Sequence, residues 1–507
     1  MSDDELPEGW AETAMGAVAD VVGGGTPPAK DLANFCSEEG HPWLTPADLS
    51  GFREVYVARG CRNLTEKGLR ESSAKIMPPG TVLMSSRAPI GYLAVAANEI
   101  CTNQGFKSFI CPDCLEPRFV LFWLKSIGNI LQELGSGSTF AEISGAKAKE
   151  IPLRVAPTAE QHRIVEKLEA LLAEVSEARD RLAKVPLILK RFRQSVLWAA
   201  FSGRLTEDWR DERDDDPAPP TIPAAPTTSG KRGRRGANLS GDGELLLDDE
   251  LPELPESWVY ARADRLVASG TVITYGIVLP GPEVPGGVPY IRQQDIEDGR
   301  VRVDELRHTT KEIAAKHERS WVRHGDVLLC IIRNLRVAMV PRGIDGANLT
   351  QGTVRLRPNE SCIAGRYLAR YLESDAAQGW MRRRYFGMDM PRINVEDARA
   401  IPVAVPPLGE QAEIVHRVEA LFTLADTIEA QVKAATAGAE KLPQAILSKA
   451  FQGELVLTEA ELARAESRSY ETAGELLARI KATTIDLAER KPGSDAGRRR
   501  RSRSRPR

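Results

Sequence analysis

Cysteine, histidine and glycine-rich runs are where a chain most often carries chemistry, since thiols and imidazoles bind metals and glycine loops cradle phosphates. Cys111-Pro112-Asp113-Cys114 has the spacing of half a zinc site or of a redox pair, but no second pair stands at usable distance, and a turn explains it as well. His308, His317 and His324 are too scattered to share a metal. Gly23-Gly24-Gly25-Thr26 runs into Pro27-Pro28 rather than into a helix with a phosphate-binding lysine, so it reads as a turn. Gly135-Ser136-Gly137-Ser138-Thr139 could lie against a phosphate or simply close a domain. Neither a Walker loop, nor a methyltransferase glycine fingerprint, nor a nucleophile elbow is present. The expectation is a non-catalytic chain with no metal or cofactor of its own.

What remains is a set of forked donors and amides grouped at turns. The first half has Arg59, Arg62-Asn63, Lys67, Ser85-Ser86-Arg87, Asn103-Gln104 and Lys107. The second half has Arg292-Gln293-Gln294, Arg333-Asn334-Leu335-Arg336, Gln351, Arg382-Arg383-Arg384 and Arg392. Arginine pairs with guanine edges and phosphates, and asparagine or glutamine with adenine edges, so these are candidate DNA contacts; a solvated surface charge is the bland alternative for each. Residues 256–400 hold 22 Lys and Arg against 18 Asp and Glu, so any DNA-binding surface must come from grouping, not from bulk charge. The whole chain agrees, with 68 Lys and Arg against 71 Asp and Glu.

The 507 residues exceed one ordinary core, while 42% hydrophobic and 27% charged residues exclude a wholly disordered or fibrous chain. Self-comparison supplies the organisation. Residues 151–205 align with 401–455 without a gap, from Ile151-Pro152 on Ile401-Pro402 to Leu205 on Leu455. Upstream the likeness is looser but keeps its order. Leu6-Pro7-Glu8-Gly9-Trp10 matches Leu254-Pro255-Glu256-Ser257-Trp258, and Pro42-Trp43-Leu44 with Asp48 matches Pro289-Tyr290-Ile291 with Asp295. Gly80-Thr81-Val82-Leu83 with Arg87 matches Gly325-Asp326-Val327-Leu328 with Arg333. The chain thus holds two copies of one module, each a mixed α/β globular part (1–157 and 251–407) followed by a helical part (158–205 and 408–455). Residues 206–250, with their Pro/Ala/Thr and Gly/Arg runs, read as a flexible linker. A helical extension (456–490) and an Arg-rich, disordered tail (491–507) complete it.

Both helical parts carry a heptad stripe. In the first it runs through Ile164, Leu168, Leu171, Val175 and Leu182, and in the second through Ile414, Val418, Leu421, Ile428 and Val432. Matching stripes predict that the helices pack together, although ordinary bundle helices would also carry them. Thr158 and Gln161 suggest a capping box, Gly203 and Gly453 a left-handed stop, and Pro186 and Pro443 a kink or a split. A helix from Thr158 to Phe201 would be on the order of 65 Å long, a spacer between globular parts.

This arrangement resembles the specificity (S) subunit of type I restriction-modification enzymes. The resemblance covers about residues 6–490 and rests on Pro157, Glu160-Gln161 and Ala200-Phe201-Ser202-Gly203-Arg204-Leu205, repeated as Pro407, Glu410-Gln411 and Ala450-Phe451-Gln452-Gly453-Glu454-Leu455. It implies two target-recognition domains, each reading half of a bipartite DNA sequence, with the helices packed as an antiparallel coiled coil related by pseudo-two-fold symmetry. It also implies partners: double-stranded DNA, two modification subunits that carry S-adenosylmethionine and methylate adenine, and a motor subunit that cleaves. A coiled-coil scaffold without DNA readout is the competing expectation. Sparse cysteines, an acidic start at Ser2-Asp3-Asp4-Glu5 and no long apolar run point to the cytoplasm.

Overall fold

The computed structural model describes residues 6–135, 141–213, 219–223 and 251–489. Most of the expected linker, the Arg-rich tail and the Ser136–Thr139 stretch lie outside the described residues. The chain forms two units that do not coincide with the two sequence copies. The first takes residues up to Leu182 together with those from Ala435 onward, and the second takes Ala183–Ala434. Each unit therefore combines the globular part of one copy with the closing helical segment of the other.

In the first unit a five-stranded sheet runs in the order Asp20–Gly23, Phe106–Ile110, Val82–Ser86, Ile90–Ala96, Tyr56–Val57. Val82–Ser86, the middle strand, is buried at every position, with Val82, Leu83 and Met84 apolar and Ser85 and Ser86 polar. A four-stranded sheet carries Phe35–Cys36, Arg62–Leu64, His41–Leu44 and Cys101–Thr102. The unit closes where Ala11–Ala14 pairs with Pro152–Val155. The second unit repeats the plan with Thr274–Tyr275, Thr353–Leu356, Val327–Cys330 and Val337–Met339 in one sheet. Arg307–Thr309, Val288–Ile291 and Asn348–Leu349 form another, and Val259–Arg262 pairs with Pro402–Val405 as the clasp.

One helix covers each core. Pro117–Ser126 starts on a proline, whose missing N–H costs nothing in a first turn, and buries Phe119 through Leu124. Gly365–Glu373 buries Tyr367 and Tyr371 one turn apart, and their hydroxyls donate to Ala404 O at 2.8 Å and Pro402 O at 2.7 Å on the clasp. The other copy's helix end lands on these aromatics. Phe451 stands edge-on to Phe119 at 5.2 Å and Trp123 at 5.1 Å, and Phe201 edge-on to Tyr367 at 5.4 Å and Tyr371 at 5.1 Å. Burying such a ring stabilises by roughly 2–3 kcal/mol, which makes the exchanged helix ends part of each core.

The helical parts are Thr158–Leu182, Val185–Phe201 and the 44-residue Leu408–Phe451. Pro186 falls in the first turn after a break, as expected, but Pro443 lies within an unbroken helix. The lost bond at Pro443 is tolerated because Ala439 and Leu447, one turn to either side, are buried. In the second unit the two helical segments run antiparallel. Arg417 donates to Leu205 O at 2.9 Å, while Arg193, further back along its helix, bonds Asp426 at 2.6 Å and Glu429 at 2.8 Å, further on along the other. Of the stripe, Ile164, Leu168, Ile414 and Val418 are buried, and Leu171, Val175, Leu182, Leu421, Ile428 and Val432 half-buried.

Two local expectations are corrected. Thr158 and Gln161 form no capping box: the Thr158 hydroxyl donates to Cys114 O at 3.4 Å, and Gln161 turns towards the globular part. The helical path also continues past 205, through Arg204–Thr206 and Glu207–Asp211, because Thr206 is buried and its hydroxyl donates to Glu410 at 2.7 Å. Gly203 and Gly453 do adopt left-handed conformations, with φ of 78° and 77°. A Cβ there would meet Pro255 Cγ at 2.4 Å and Pro7 Cγ at 2.5 Å, so glycine is required twice over. Among the described residues no helix is long and apolar enough to cross a membrane.

Candidate nucleic-acid interface

The repeated Glu-Gln pairs are fully buried anchors. Gln161 accepts from the Glu116 amide at 3.0 Å and donates to Ala156 O at 2.8 Å; Gln411 accepts from the Ala364 amide at 2.8 Å and donates to Pro406 O at 2.8 Å. Each ties the start of its long helix to the start of its covering helix. Glu160 accepts from the Trp10 indole at 2.8 Å and the Glu459 amide at 2.7 Å, and Glu410 from the Trp258 indole at 2.8 Å. Burial pushes the Glu160 carboxyl above its ordinary range, against the pull of those donors.

The loops can be compared atom by atom through the backbone. Ser86 N donates to Gly105 O at 2.7 Å and Ser86 O accepts from Ile143 N at 3.0 Å; Ile331 N donates to Gly352 O at 2.9 Å and Ile331 O accepts from Ile393 N at 3.0 Å. Ser86 and Ile331 hold the same place. Arg87 then matches Ile332, and Ala88 matches Arg333, both with positive φ, 52° and 63°. The sequence pairing of Arg87 with Arg333 is therefore off by one residue. Glu142, bridged to Arg87, matches Arg392, bridged to Ile332.

In the first unit this edge is largely neutralised. Arg87 lies 3.4 Å and Lys107 3.5 Å from Glu142, and Lys107 also donates to Ser86 Oγ at 3.4 Å. Gln104 is exposed and accepts from Thr26, while Asn103 Oδ1 accepts from the Gly105 amide at 2.8 Å. Lys67 pairs with Asp31 at 2.5 Å. Asn63 is buried and donates to Glu38 O and Glu39 O at 3.3 and 3.2 Å, so it holds a turn. Arg62 is exposed, its guanidinium 4.8 Å from the Phe35 ring centre and 5.8 Å from that of Trp43. Gly24, at the end of its strand, lies so close to Asn103 O that a Cβ would come within 2.0 Å.

The second unit divides its candidates differently. Arg292 grips the buried Asp295 at 2.9 and 2.6 Å, Gln293 donates to Ile332 O at 2.6 Å and Gly352 O at 2.9 Å, and Arg336 donates to Ile296 O at 2.8 Å. The amide of exposed Gln294 turns its oxygen to Arg292 at 2.9 Å. Asn334 buries its side-chain oxygen without a partner among the described residues. These brace the loops. Arg333 and Gln351 are exposed, and neither side chain bonds any described residue; Arg392 is exposed and only stacks on Phe386, 4.9 Å from its centre. Arg333 and Arg392 lie on one edge, since Arg333 N donates to Pro391 O at 2.6 Å and Ile332 bridges Arg392, and Gln351 adjoins it through Gly352, whose carbonyl accepts from Ile331 N at 2.9 Å. Sequence reasoning missed the Phe386–Arg392 hairpin and Glu142, because exposure and pairing across a loop leave no local signature.

Cys111 and Cys114 are free thiols in a turn closed by Leu115 N on Pro112 O at 2.9 Å, and burial pushes Cys111 up to about 12.

Comparison with known proteins follows the same outline. A model of the type I restriction modification DNA specificity domain matches residues 7–185 and 282–435. The chain is similar to the type I restriction enzyme EcoBI specificity subunit of Escherichia coli, at 33% identity over 344 residues, 68% of this chain and 66% of that one. That match spans just under two thirds of the EcoBI chain. To the StySPI specificity subunit of Salmonella potsdam it is 28% identical over 475 residues, 90% of this chain and 91% of that one. The crystal structure of the HsdS subunit from Thermoanaerobacter tengcongensis shares the fold, with a TM-score of 0.55 at 18% identity over 89% of this chain and 99% of that one. So does a chain from work on complex assembly and conformational transition of the type I R-M system, with a TM-score of 0.60 at 19% identity over 89% and 99%.

Proposed function

The chain belongs to the type I restriction-modification specificity-subunit family, and from that premise we propose that its two units read the two halves of one bipartite DNA target, at a spacing set by the paired helices. A specificity subunit carries no catalytic step, so the work of this chain is selection. The observation that carries the proposal is a shared frame with unlike edges: Arg87, Ala88 and Glu142 in one unit stand where Ile332, Arg333 and Arg392 stand in the other. Equal frames position equal backbones, and unequal side chains read unequal words.

Physically, basic side chains around each edge take phosphates and fix register, and the exposed Arg333 and Gln351 reach base edges, each good paired contact adding roughly 1–3 kcal/mol of discrimination. In the first unit the exposed Arg62 and Gln104 have that role, with Arg87 and Lys107 released from Glu142 when a phosphate competes. The methyl transfer belongs to modification subunits, two copies docked on the helices and charged with S-adenosylmethionine, in the cytoplasm where the DNA lies; a motor subunit adds cleavage. A scaffold without DNA readout would not need two unlike edges on one frame.

The test is a genome-wide map of modified adenines in cells with and without this chain. The proposal expects one bipartite motif with a fixed gap that disappears with the chain. An unchanged map, or loss of a single continuous motif, contradicts it.

A further inference from the structure

The Phe386–Arg392 hairpin does more than frame the second unit's edge. Phe386 and Arg392 exchange backbone bonds at 3.0 Å each, which closes a five-residue tip. Gly387 turns it with φ of 90°, and a Cβ there would meet Met390 O at 2.8 Å. At the tip Met388 is 102% exposed, with Phe386 at 39% and Met390 at 44% beside it. A large apolar side chain in a flat patch is covered on one side; Met388 is covered on none, so it projects. Clustered apolar exposure of this kind marks a binding surface.

The chemistry of the flanks selects the occupant. Arg333 and Arg392 sit at the base of the hairpin without an ionic partner among the described residues, 333 tied to it through Pro391 O at 2.6 Å. Such guanidiniums suit DNA, Arg392 at a phosphate and Arg333 at a base edge. The tip itself carries Met388, Asp389 and Met390, and the carboxylate of Asp389 repels phosphate. Whatever the tip gains from a duplex must come from the bases. Methionine is unbranched and polarisable, and it belongs to the small group of side chains that insert between base pairs.

We propose that Phe386–Arg392 is a wedge: Met388 enters between two adjacent base pairs of the second unit's half-site, while Arg392 holds the adjoining phosphate and Arg333 reads a base edge beside the opened step. The proposal rests on the DNA-reading function above and adds to it a kinked step. Because pyrimidine–purine steps unstack most easily, the wedge makes the half-site selective for such a step even where no hydrogen bond reads it.

The experiment uses the full chain assembled with its modification subunits, on duplexes carrying the mapped motif with 2-aminopurine placed at one position at a time. Wild type is expected to raise 2-aminopurine emission several-fold at one step of the second unit's half-site. Met388→Ala abolishes that rise and weakens binding roughly tenfold, and Met388→Leu retains both. Since Met388 is fully exposed, neither variant disturbs folding. Emission at the target adenine, unstacked by the modification subunit, persists in all three proteins and reports a working complex. A complex that methylates the duplex yet shows no Met388-dependent rise at any position overturns the wedge. If no motif depends on the chain at all, the DNA-reading function fails, a result distinguishable from the first.

Discussion

At the scale of single residues, the two groups of arginines differ in whether the fold needs them. Arg292 neutralises the fully buried Asp295 through two charge-assisted bonds. Arg292→Ala strands that carboxylate and should cost about 3 kcal/mol of stability, seen as an earlier chemical-denaturation midpoint. Arg333→Ala removes an exposed, unpartnered side chain and should leave the midpoint within about 0.5 kcal/mol while relaxing one half-site only in a methylation map. Equal effects of the two substitutions on stability would contradict this division. The sequence shows both residues as arginines at turns and cannot tell them apart. It also misaligned Arg87 with Arg333, because the copies differ in loop length and only the backbone bonds of Ser86 and Ile331 fix the register. By contrast, Gly203 and Gly453 were legible, since a glycine closing a helical stripe has one common reason to be there.

Among the elements, the helix starts rest on buried carboxylates. Glu160 is held above the ordinary carboxyl range by burial, so the folded chain keeps its proton to a higher pH than the unfolded chain does. The stability contributed by that protonation is complete below about pH 4.3 and is lost as pH rises through the raised folded value. Glu160→Gln removes this dependence. The stability advantage of wild type over Glu160→Gln should therefore shrink as pH rises above the ordinary carboxyl range in denaturation series. An advantage that grows as pH rises would mean that the Trp10 and Glu459 donors outweigh burial. The importance of Glu160-Gln161 and Glu410-Gln411 was legible as repetition, but their partners were not. Gln161 looked like half of a capping box because its bond to the Glu116 amide spans 45 residues. Likewise Pro443 reads as a breaker locally, and only the buried Ala439 and Leu447 explain why its helix continues.

The whole chain is two sequence copies refolded into two units that exchange helix ends. The duplication and the mixed α/β character followed from the repeat and the stripe. The exchange did not, because nothing in Ala-Phe-x-Gly-x-Leu states that Phe451 packs on Phe119 and Trp123, or Phe201 on Tyr367 and Tyr371. This organisation makes the span between the clasp strands Val259–Arg262 and Pro402–Val405 a replaceable reader on a retained frame. The most direct measurement is the methylation map of a chimera in which residues 259–405 come from a relative that reads a different target. The account predicts that one half-site changes to the donor's, while the other half-site and the gap between them stay as they were. Alteration of both half-sites, or of the gap alone, would contradict it.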